Sequence, residues 1–325
     1  MIDGKVILIT GGTGSFGGKC VETLLLRHKP KKVIVFSRDE LKQFDMARRF
    51  PESQYPAVRY FIGDVRDKDR LRRAFAGVDV IIHAAALKQV PTAEYNPYEA
   101  IKTNIIGATN IIDAAIDLGV KKVIALSTDK AVNPLNLYGA TKLCSDKLFI
   151  AANAYVGSGE TKFSVVRYGN VIGSRGSVVS IFRELRPSGV IPVTHPEMTR
   201  FWITVQQGVD FVLSSIGRMV GAETFIPKIP SMNILDLAKA VAPDCRVEIV
   251  GVRPGEKLHE IMIPRDEAPN TVEFPDFYLI KPAFRFFARD FALAGSVPVP
   301  EGFEYCSNTN AWKLGIDELK SMLAS

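Results

Sequence analysis

Six short, largely apolar runs constrain this chain more than any other feature: KVILIT from residue 5, KKVIVFS from 31, VRYFIGD from 58, VDVIIHAAA from 78, KKVIALST from 121 and KFSVVRYGNV from 162. Runs of this length, rich in β-branched residues and without polar alternation, suit strands covered on both faces. Between them lie stretches of helical period, such as Val21, Leu24 and Leu25, and GATNIIDAAIDLG, whose closing glycine suits a helix C-terminus. Such alternation predicts an α/β fold built on a Rossmann-type doubly wound parallel sheet, over residues 1–172. After Gly173 the prolines at 187, 192, 196, 227, 230 and 254 break the pattern, although TVQQGVDFVLSSIGRMV and NILDLAKAVA still read as helices. Residues 173–325 are therefore expected to form a smaller C-terminal substrate-binding lobe, with some segments returning to the first domain.

Several function classes are disfavoured. The 41 Lys and Arg residues exceed the 35 Asp and Glu by only six, and they are dispersed along the chain. No nucleic-acid-binding module accompanies them, so no nucleic-acid partner is expected. Cys20, Cys144, Cys245 and Cys306 lie far apart with no CxxC pair, and no HxxxH or DxD cluster occurs, which argues against a metal site and a disulfide framework. His195 and His259 are accordingly read as structural. The start MIDGKVILITGGTG enters a strand at once, and no apolar run approaches the ~20 residues of a membrane span. A reduced, cytoplasmic protein with no membrane partner is the expectation.

The first run leads into ITGGTGSFGGK, which sets Gly11, Gly14 and Gly17 at GxxGxxG spacing between a strand and a helix. Glycines there permit a tight turn and close backbone approach, so the helix N-terminus can hold a pyrophosphate. Gly11, Thr13, Gly14, Ser15, Phe16 and Gly17 are the expected cofactor loop. The second strand ends in VFSRDE, placing Ser37 and Arg38 where an acid would hold the ribose diol of NAD. Arginine pairs with a 2′-phosphate, so NADP is expected. The alternative leaves Arg38 in solvent and sends Asp39 to the ribose. GDVRD puts Asp64 and Val65 near the adenine, and HAAA puts Ala84, Ala85 and Ala86 against the cofactor, with His83 read as a packed strand residue.

The stretch STDKAVNPLNLYGATK sets Tyr138 and Lys142 four apart, on one helical face. The Lys142 ammonium is expected to stabilise the Tyr138 phenolate and so to make it a base near neutral pH. Following a GxxGxxG domain and a strand ending in Ser127 and Thr128, the pair resembles the extended short-chain dehydrogenase/reductase family. The blocks HAAALKQVPTAEYNP, STDKAVNPLNLYGATK, RYGNVIGSRGSVV, MTRFWIT, PKIPSMNI and RPGEKLHE cover most of residues 5–265. Together they resemble the inverting UDP-N-acetylglucosamine 4,6-dehydratases, the first enzymes of the pseudaminic acid pathway. Two departures are Gln89, where that family is expected to carry His, and Cys306, where it usually carries Ser.

That resemblance implies a lyase with a redox cycle inside it. Tyr138 takes the proton of the sugar 4-hydroxyl as hydride leaves C4 for NADP⁺, and the resulting ketone acidifies C5–H. Lys130 removes that proton while Asp129 protonates the departing 6-hydroxyl; hydride then returns to C6, so tightly bound NADP is regenerated each cycle. Asp129 must hold a proton and Lys130 must lose one, which needs a special environment for each. Retaining relatives often carry Asp-Glu at this position, so Lys130 points to inversion at C5 and to UDP-2-acetamido-2,6-dideoxy-β-L-arabino-hex-4-ulose as product.

Thr128 completes the implied catalytic set, and Tyr138 and Lys142 also touch the cofactor. Lys88, Asn170, Arg175, Arg200, Arg253 and Glu256 are the implied contacts to UDP-N-acetylglucosamine, with Arg253 on the diphosphate and Glu256 on the uridine ribose. Arg200, beside Phe201 and Trp202, reads equally as a stacked or ion-paired residue. The resemblance further implies a homo-oligomer and a product used in flagellin glycosylation. A retaining dehydratase or 4-epimerase on the same scaffold, and a non-catalytic NADP-binding regulator, stand as the alternatives.

Overall fold

The computed structural model describes residues 2–157, 159–174, 176–284, 291 and 293–324. Its centre is a ten-stranded sheet. In chain order the first six strands are β1 (Val6–Thr10), β2 (Lys32–Ser37), β3 (Val58–Ile62), β4 (Val80–His83), β5 (Lys122–Leu126) and β6 (Lys162–Val166). Next come β7 (Asn170–Ile172), β8 (Val190–Val193), β9 (Thr199–Thr204), β10 (Thr224–Pro227), β11 (Ser231–Asn233) and β12 (Arg246–Ile249). The last are β13 (Ile261–Ile263), β14 (Thr271–Glu273), β15 (Phe277–Ile280), β16 (Val297–Pro298) and β17 (Tyr305–Cys306).

The large sheet runs β16-β14-β15-β10-β6-β5-β4-β1-β2-β3. It is parallel from β3 to β10 and antiparallel beyond. Strand order reverses between β1 and β4, and at such a switch point the loops leaving the strand ends part to form a crevice. Four strands of the second half, β10 and β14–β16, complete this sheet, while β7, β9 and β11 form a separate three-stranded one.

The helices are α1 (Ser15–Arg27), α2 (Glu40–Arg49), α3 (Lys68–Phe75), α4 (Val90–Tyr95), α5 (Pro97–Ile101) and α6 (Gly107–Asp117). After them come α7 (Leu137–Tyr155), α8 (Val178–Leu185), α9 (Val205–Arg218), α10 (Ile234–Val241) and α11 (Ile316–Ala324). In β1, Ile7 and Ile9 pack with Cys20, Val21 and Leu24 of α1 and Val209 and Val212 of α9. Leu8 points the other way, among Leu71, Ile111 and Phe149 of α3, α6 and α7. The period of two, apolar on both faces, is what a doubly covered parallel strand requires. These three side chains have no exposed surface and contribute about 1.5–3 kcal/mol each.

The run KFSVVRYGNV, read as one strand, divides here. β6 stays in the large sheet and β7 leaves it to pair with β9. Gly169 lies at the break, where a Cβ would stand 2.5 Å from that of Phe201, so the backbone can cross only without a side chain. A third apolar cluster, with Phe182, Ile191, Trp202, Leu237 and Leu319, holds the second lobe together over the strand ends. Among the described residues no helix is long and apolar enough to cross a membrane, and no group of His, Cys, Asp or Glu is placed to hold a metal.

Candidate active site

A cavity of about 800 Å³ opens at the switch point. Its floor is the loop from β1 to α1. Gly11 has φ +66°, and a Cβ there would come within 2.9 Å of the Ala84 and Ala85 backbone. A Cβ on Gly17 would stand 2.4 Å from the Gly11 carbonyl oxygen, so α1 sits against the loop only because residue 17 has no side chain. Gly14 is the N-cap of α1 and offers no side-chain cap. The first turn of α1 is left with amide donors that suit a phosphate, and the residues present fit a dinucleotide. His83 lies beneath, its Nδ1 2.8 Å from Thr10 Oγ1. Burial, and then the charge of Lys142, push its imidazole down to about 3, so it is a neutral packing residue.

At the end of β2, Asp39 turns back as the N-cap of α2, accepting from the Lys42 backbone amide at 3.0 Å and pairing with Lys42 Nζ at 2.5 Å. Arg38 is exposed at the cavity edge, its nearest carboxylate Asp64 at 3.8 Å. Asp64 itself is engaged by Arg66 at 2.7 Å. The acid that would favour a free ribose diol caps its own helix and pairs with Lys42, and Arg38, Asp39 and Lys42 all line the cavity.

The stretch STDKAVNPLNLYGATK sits across the cavity. Thr128 ends the segment after β5, Asp129–Ala131 form one 3₁₀ turn, and α7 begins at Leu137 with Asn136 as N-cap, its side chain accepting from Gly139 N at 2.8 Å. A Cβ on Gly139 would lie 2.1 Å from the Lys130 carbonyl oxygen, so this glycine lets α7 lean on the Thr-Asp-Lys turn and brings Tyr138 beside it. Lys130 Nζ lies 3.0 Å from Asp129 Oδ1, 3.3 Å from Asn170 Oδ1 and 3.3 Å from Glu260 Oε1. The Thr128 hydroxyl donates to Asp129 Oδ1 at 3.0 Å and stands close enough to the Tyr138 phenol to act on it electrostatically. Asp129 Oδ2 is buried without a partner.

The electrostatics agree with one expectation and differ from two. Burial pushes the Asp129 carboxyl up against the pull of Lys130, as an acid at O6 needs. Burial would also lower the Lys130 ammonium, but the Asp129 and Glu260 carboxylates outweigh it and hold the ammonium above the usual lysine range. The protein alone therefore keeps Lys130 charged, where a neutral amine was expected.

Burial likewise pushes the Tyr138 phenol up to about 12, opposed first by Lys130 rather than by Lys142. Lys142 is buried and its charge faces Asp146, one turn further along α7. Asp146 in turn accepts from Ser127 Oγ at 2.5 Å.

Apart from Asp129, which lies behind the wall, the expected site residues that are described all line this cavity: the glycine loop, Ser37, Arg38, Asp64, Val65, Ala84–Ala86, Lys88, Thr128, Lys130, Tyr138, Lys142, Asn170, Arg200, Arg253 and Glu256. Arg175 lies outside the described residues. Arg253 is exposed, and no carboxylate pairs with its guanidinium among the described residues. Arg200 is different. Its guanidinium donates to the carbonyls of Thr199, Leu258 and Lys257 and lies 3.8 Å from Glu260, which makes it a support for the wall rather than a ready substrate clamp.

Gln89 reaches the cavity opposite Gly176, whose added Cβ would lie 2.6 Å from the amide nitrogen. Cys306 is buried in β17, opposite Ile261.

Two features escaped the sequence reading. Asn104, in a π-helical turn between α5 and α6, donates to Leu87 O and Thr141 Oγ1 and accepts from Leu87 N. It thereby ties the loop after β4 to α7. Glu260 and Lys257 stand inside the quoted block RPGEKLHE, in which only Arg253 and Glu256 were expected to contact substrate. Their i,i+3 spacing was the available signal.

The chain is 57% identical to the UDP-N-acetylglucosamine 4,6-dehydratase (inverting) of Campylobacter jejuni, across 95% of this chain and 94% of that relative. It is 40% identical to the UDP-glucose 4-epimerase of Rickettsia conorii, across 98% and 95% of the two chains. The X-ray structure of Pen from Bacillus thuringiensis superposes with a TM-score of 0.91 at 36% identity, covering 100% of this chain and 98% of that one. With residues 7–282 matching the profile described as polysaccharide biosynthesis protein, the chain belongs to the polysaccharide biosynthesis protein family.

Proposed function

We propose that this chain is an NADP-dependent UDP-N-acetylglucosamine 4,6-dehydratase that inverts C5. The observation that carries the reading is the buried Asp129 held 3.0 Å from Lys130, directly behind the wall that Lys130 and Tyr138 form across from the glycine loop. Asp129 has no exposed side-chain surface whereas Lys130 keeps 27% of its own, so the lysine is the member a substrate carbon can reach. A 4-epimerase needs the tyrosine and lysine of α7 but has no use for an acid and base that act at C6 and C5. The pair therefore favours the dehydratase over the epimerase named by some relatives.

A dinucleotide held by the glycine loop would supply the hydride acceptor for C4 and the hydride donor for C6. The chain's own residues move the protons. Tyr138, with Thr128 at its phenol, receives the proton of the 4-hydroxyl. Lys130 as amine removes the C5 proton, and Asp129 as acid gives its proton to the leaving 6-hydroxyl, which departs as water. The pair ends as ammonium and carboxylate, and once C6 is reduced C5 takes up a solvent-derived proton on the face opposite the one it lost, which is the inversion. Arg253, whose guanidinium pairs with no carboxylate among the described residues, supports contact with the diphosphate, and Arg38 with Lys42 supports a 2′-phosphate at the other end of the cavity.

Incubation with UDP-N-acetylglucosamine followed by mass spectrometry tests the reading. A product lighter by one water supports it, and a product of unchanged mass would return the epimerase. For the cofactor, Arg38→Ala is expected to weaken NADP binding about tenfold or more, one charge-assisted contact being about 1.5–3 kcal/mol, while leaving NAD binding nearly unchanged. Titration of the apoprotein with both dinucleotides reads the difference, and an equal loss for both would remove Arg38 from the 2′-phosphate.

A further inference from the structure

Glu260 immediately precedes β13, and its side chain is only 3% exposed although it borders the catalytic cavity. Its backbone is pinned on both sides: Glu260 N donates to Ser307 Oγ, and Ser307 N donates to Glu260 O, each at 2.9 Å. The carboxylate faces three cations. Oε1 lies 3.3 Å from Lys130 Nζ and 3.8 Å from Arg200 Nε, and Oε2 lies 3.6 Å from Lys257 Nζ. Arg200 is anchored to three backbone carbonyls, and Lys257 donates to Val132 O. Glu260 is thus a fixed anion in a fixed frame.

Lys130 Nζ donates hydrogen bonds to Asp129 Oδ1 and Asn170 Oδ1 and forms an ion pair with Glu260 Oε1, all within 3.3 Å. We propose that Glu260 is a positioning residue for Lys130 in the elimination half of the reaction: its ion pair, with the hydrogen bond to Asn170, holds the amine head in place while the hydrogen bond to Asp129 exchanges protons. The inference rests on the dehydratase reading above. Its balance is simple. One proton moves from the Lys130 ammonium to the Asp129 carboxylate, giving the amine and the acid. The amine then takes the C5 proton, Asp129 gives its proton to the 6-hydroxyl, water leaves, and the pair is again ammonium and carboxylate.

The charged or titratable groups that act on Lys130 besides Glu260 are Asp129 and Tyr138 on its own wall, Lys88 after β4, Arg200 on β9 and Lys257. Removing the Glu260 charge takes away one of the two anions that hold the ammonium, so the proton becomes easier to lose. The pH at which Lys130 becomes a base must fall.

The test compares wild type, Glu260→Gln and Glu260→Asp in single turnovers with UDP-N-acetylglucosamine over a pH series, following nicotinamide absorbance and the C6 methyl signal together. In Glu260→Gln, methyl formation is expected to slow on the order of 10²-fold, reduced nicotinamide to accumulate, and the alkaline-favoured limb of elimination to move to lower pH. Glu260→Asp keeps the charge, so its limb should stay at the wild-type pH with part of the rate restored. Unchanged elimination and an unmoved limb in Glu260→Gln would overturn the proposal. Equal loss of both half-reactions in the two variants would do the same, since that is what a purely structural carboxylate gives. A wild type that forms no methyl would instead overturn the dehydratase reading, and the role of Glu260 with it.

Discussion

Lys130→Ala is expected to stop formation of the 6-deoxy sugar while substrate still reduces the bound cofactor, so reduced nicotinamide accumulates in place of product. The variant removes the one group of the Asp129–Lys130 pair that reaches the open cavity. It leaves Tyr138, Lys142 and the glycine loop in place. Removing a positioned base lowers the rate of its step about 10²–10⁴-fold, and elimination should fall by that range. Asp129 then lies buried without its nearest cation, and an unpaired buried carboxylate takes up a proton. The Asp129→Asn variant, which keeps size and polarity but cannot donate an acidic proton to O6, is expected to arrest at the same stage. Stopped-flow absorbance of the nicotinamide alongside product analysis checks both. Full turnover by either variant would remove the pair from the chemistry.

Tyr138→Phe should fail one step earlier. The phenol is the group on this wall placed to receive the 4-hydroxyl proton, and phenylalanine keeps the ring in its pocket while deleting the acceptor. Nicotinamide reduction in a single turnover is expected to drop about 10²–10⁴-fold, with NADP still bound. The sign of the pH dependence follows from burial, which pushes the phenol up to about 12. Below that value the phenolate fraction grows tenfold for each pH unit, so the first step in the wild type should accelerate as pH rises. The variant should lose that rise. A Tyr138→Phe protein that reduces its cofactor at the wild-type rate would assign the base elsewhere.

Much of the fold was legible because its signals are local. VILIT and KVIVFS are apolar on successive positions, and only a strand covered on both faces buries every one of them. The glycine loop was legible for the same reason: Gly11 and Gly17 are required by clashes with their near neighbours in sequence or in the adjoining strand end. What could not be read depends on partners far along the chain. The break between β6 and β7 at Gly169 is imposed by Phe201, and β10 and β14–β16 find the large sheet through pairings that no local pattern encodes. Lys130 and Glu260 are 130 positions apart, so the anion that keeps the lysine charged was hidden although both lie in quoted blocks. For Arg200 the sequence left a substrate contact and a stacked or ion-paired role both open, and the carbonyls of Lys257 and Leu258 that hold it are invisible as acceptors in a sequence.

The central claim is dehydration with inversion, and proton NMR of the purified protein with UDP-N-acetylglucosamine in D₂O tests it most directly. The account predicts a new C6 methyl signal with deuterium at C5 and couplings of the L-arabino ring. The same methyl on a D-xylo ring would contradict the role given to Lys130 at C5, and an unchanged substrate spectrum with NADP supplied would contradict the dehydratase itself.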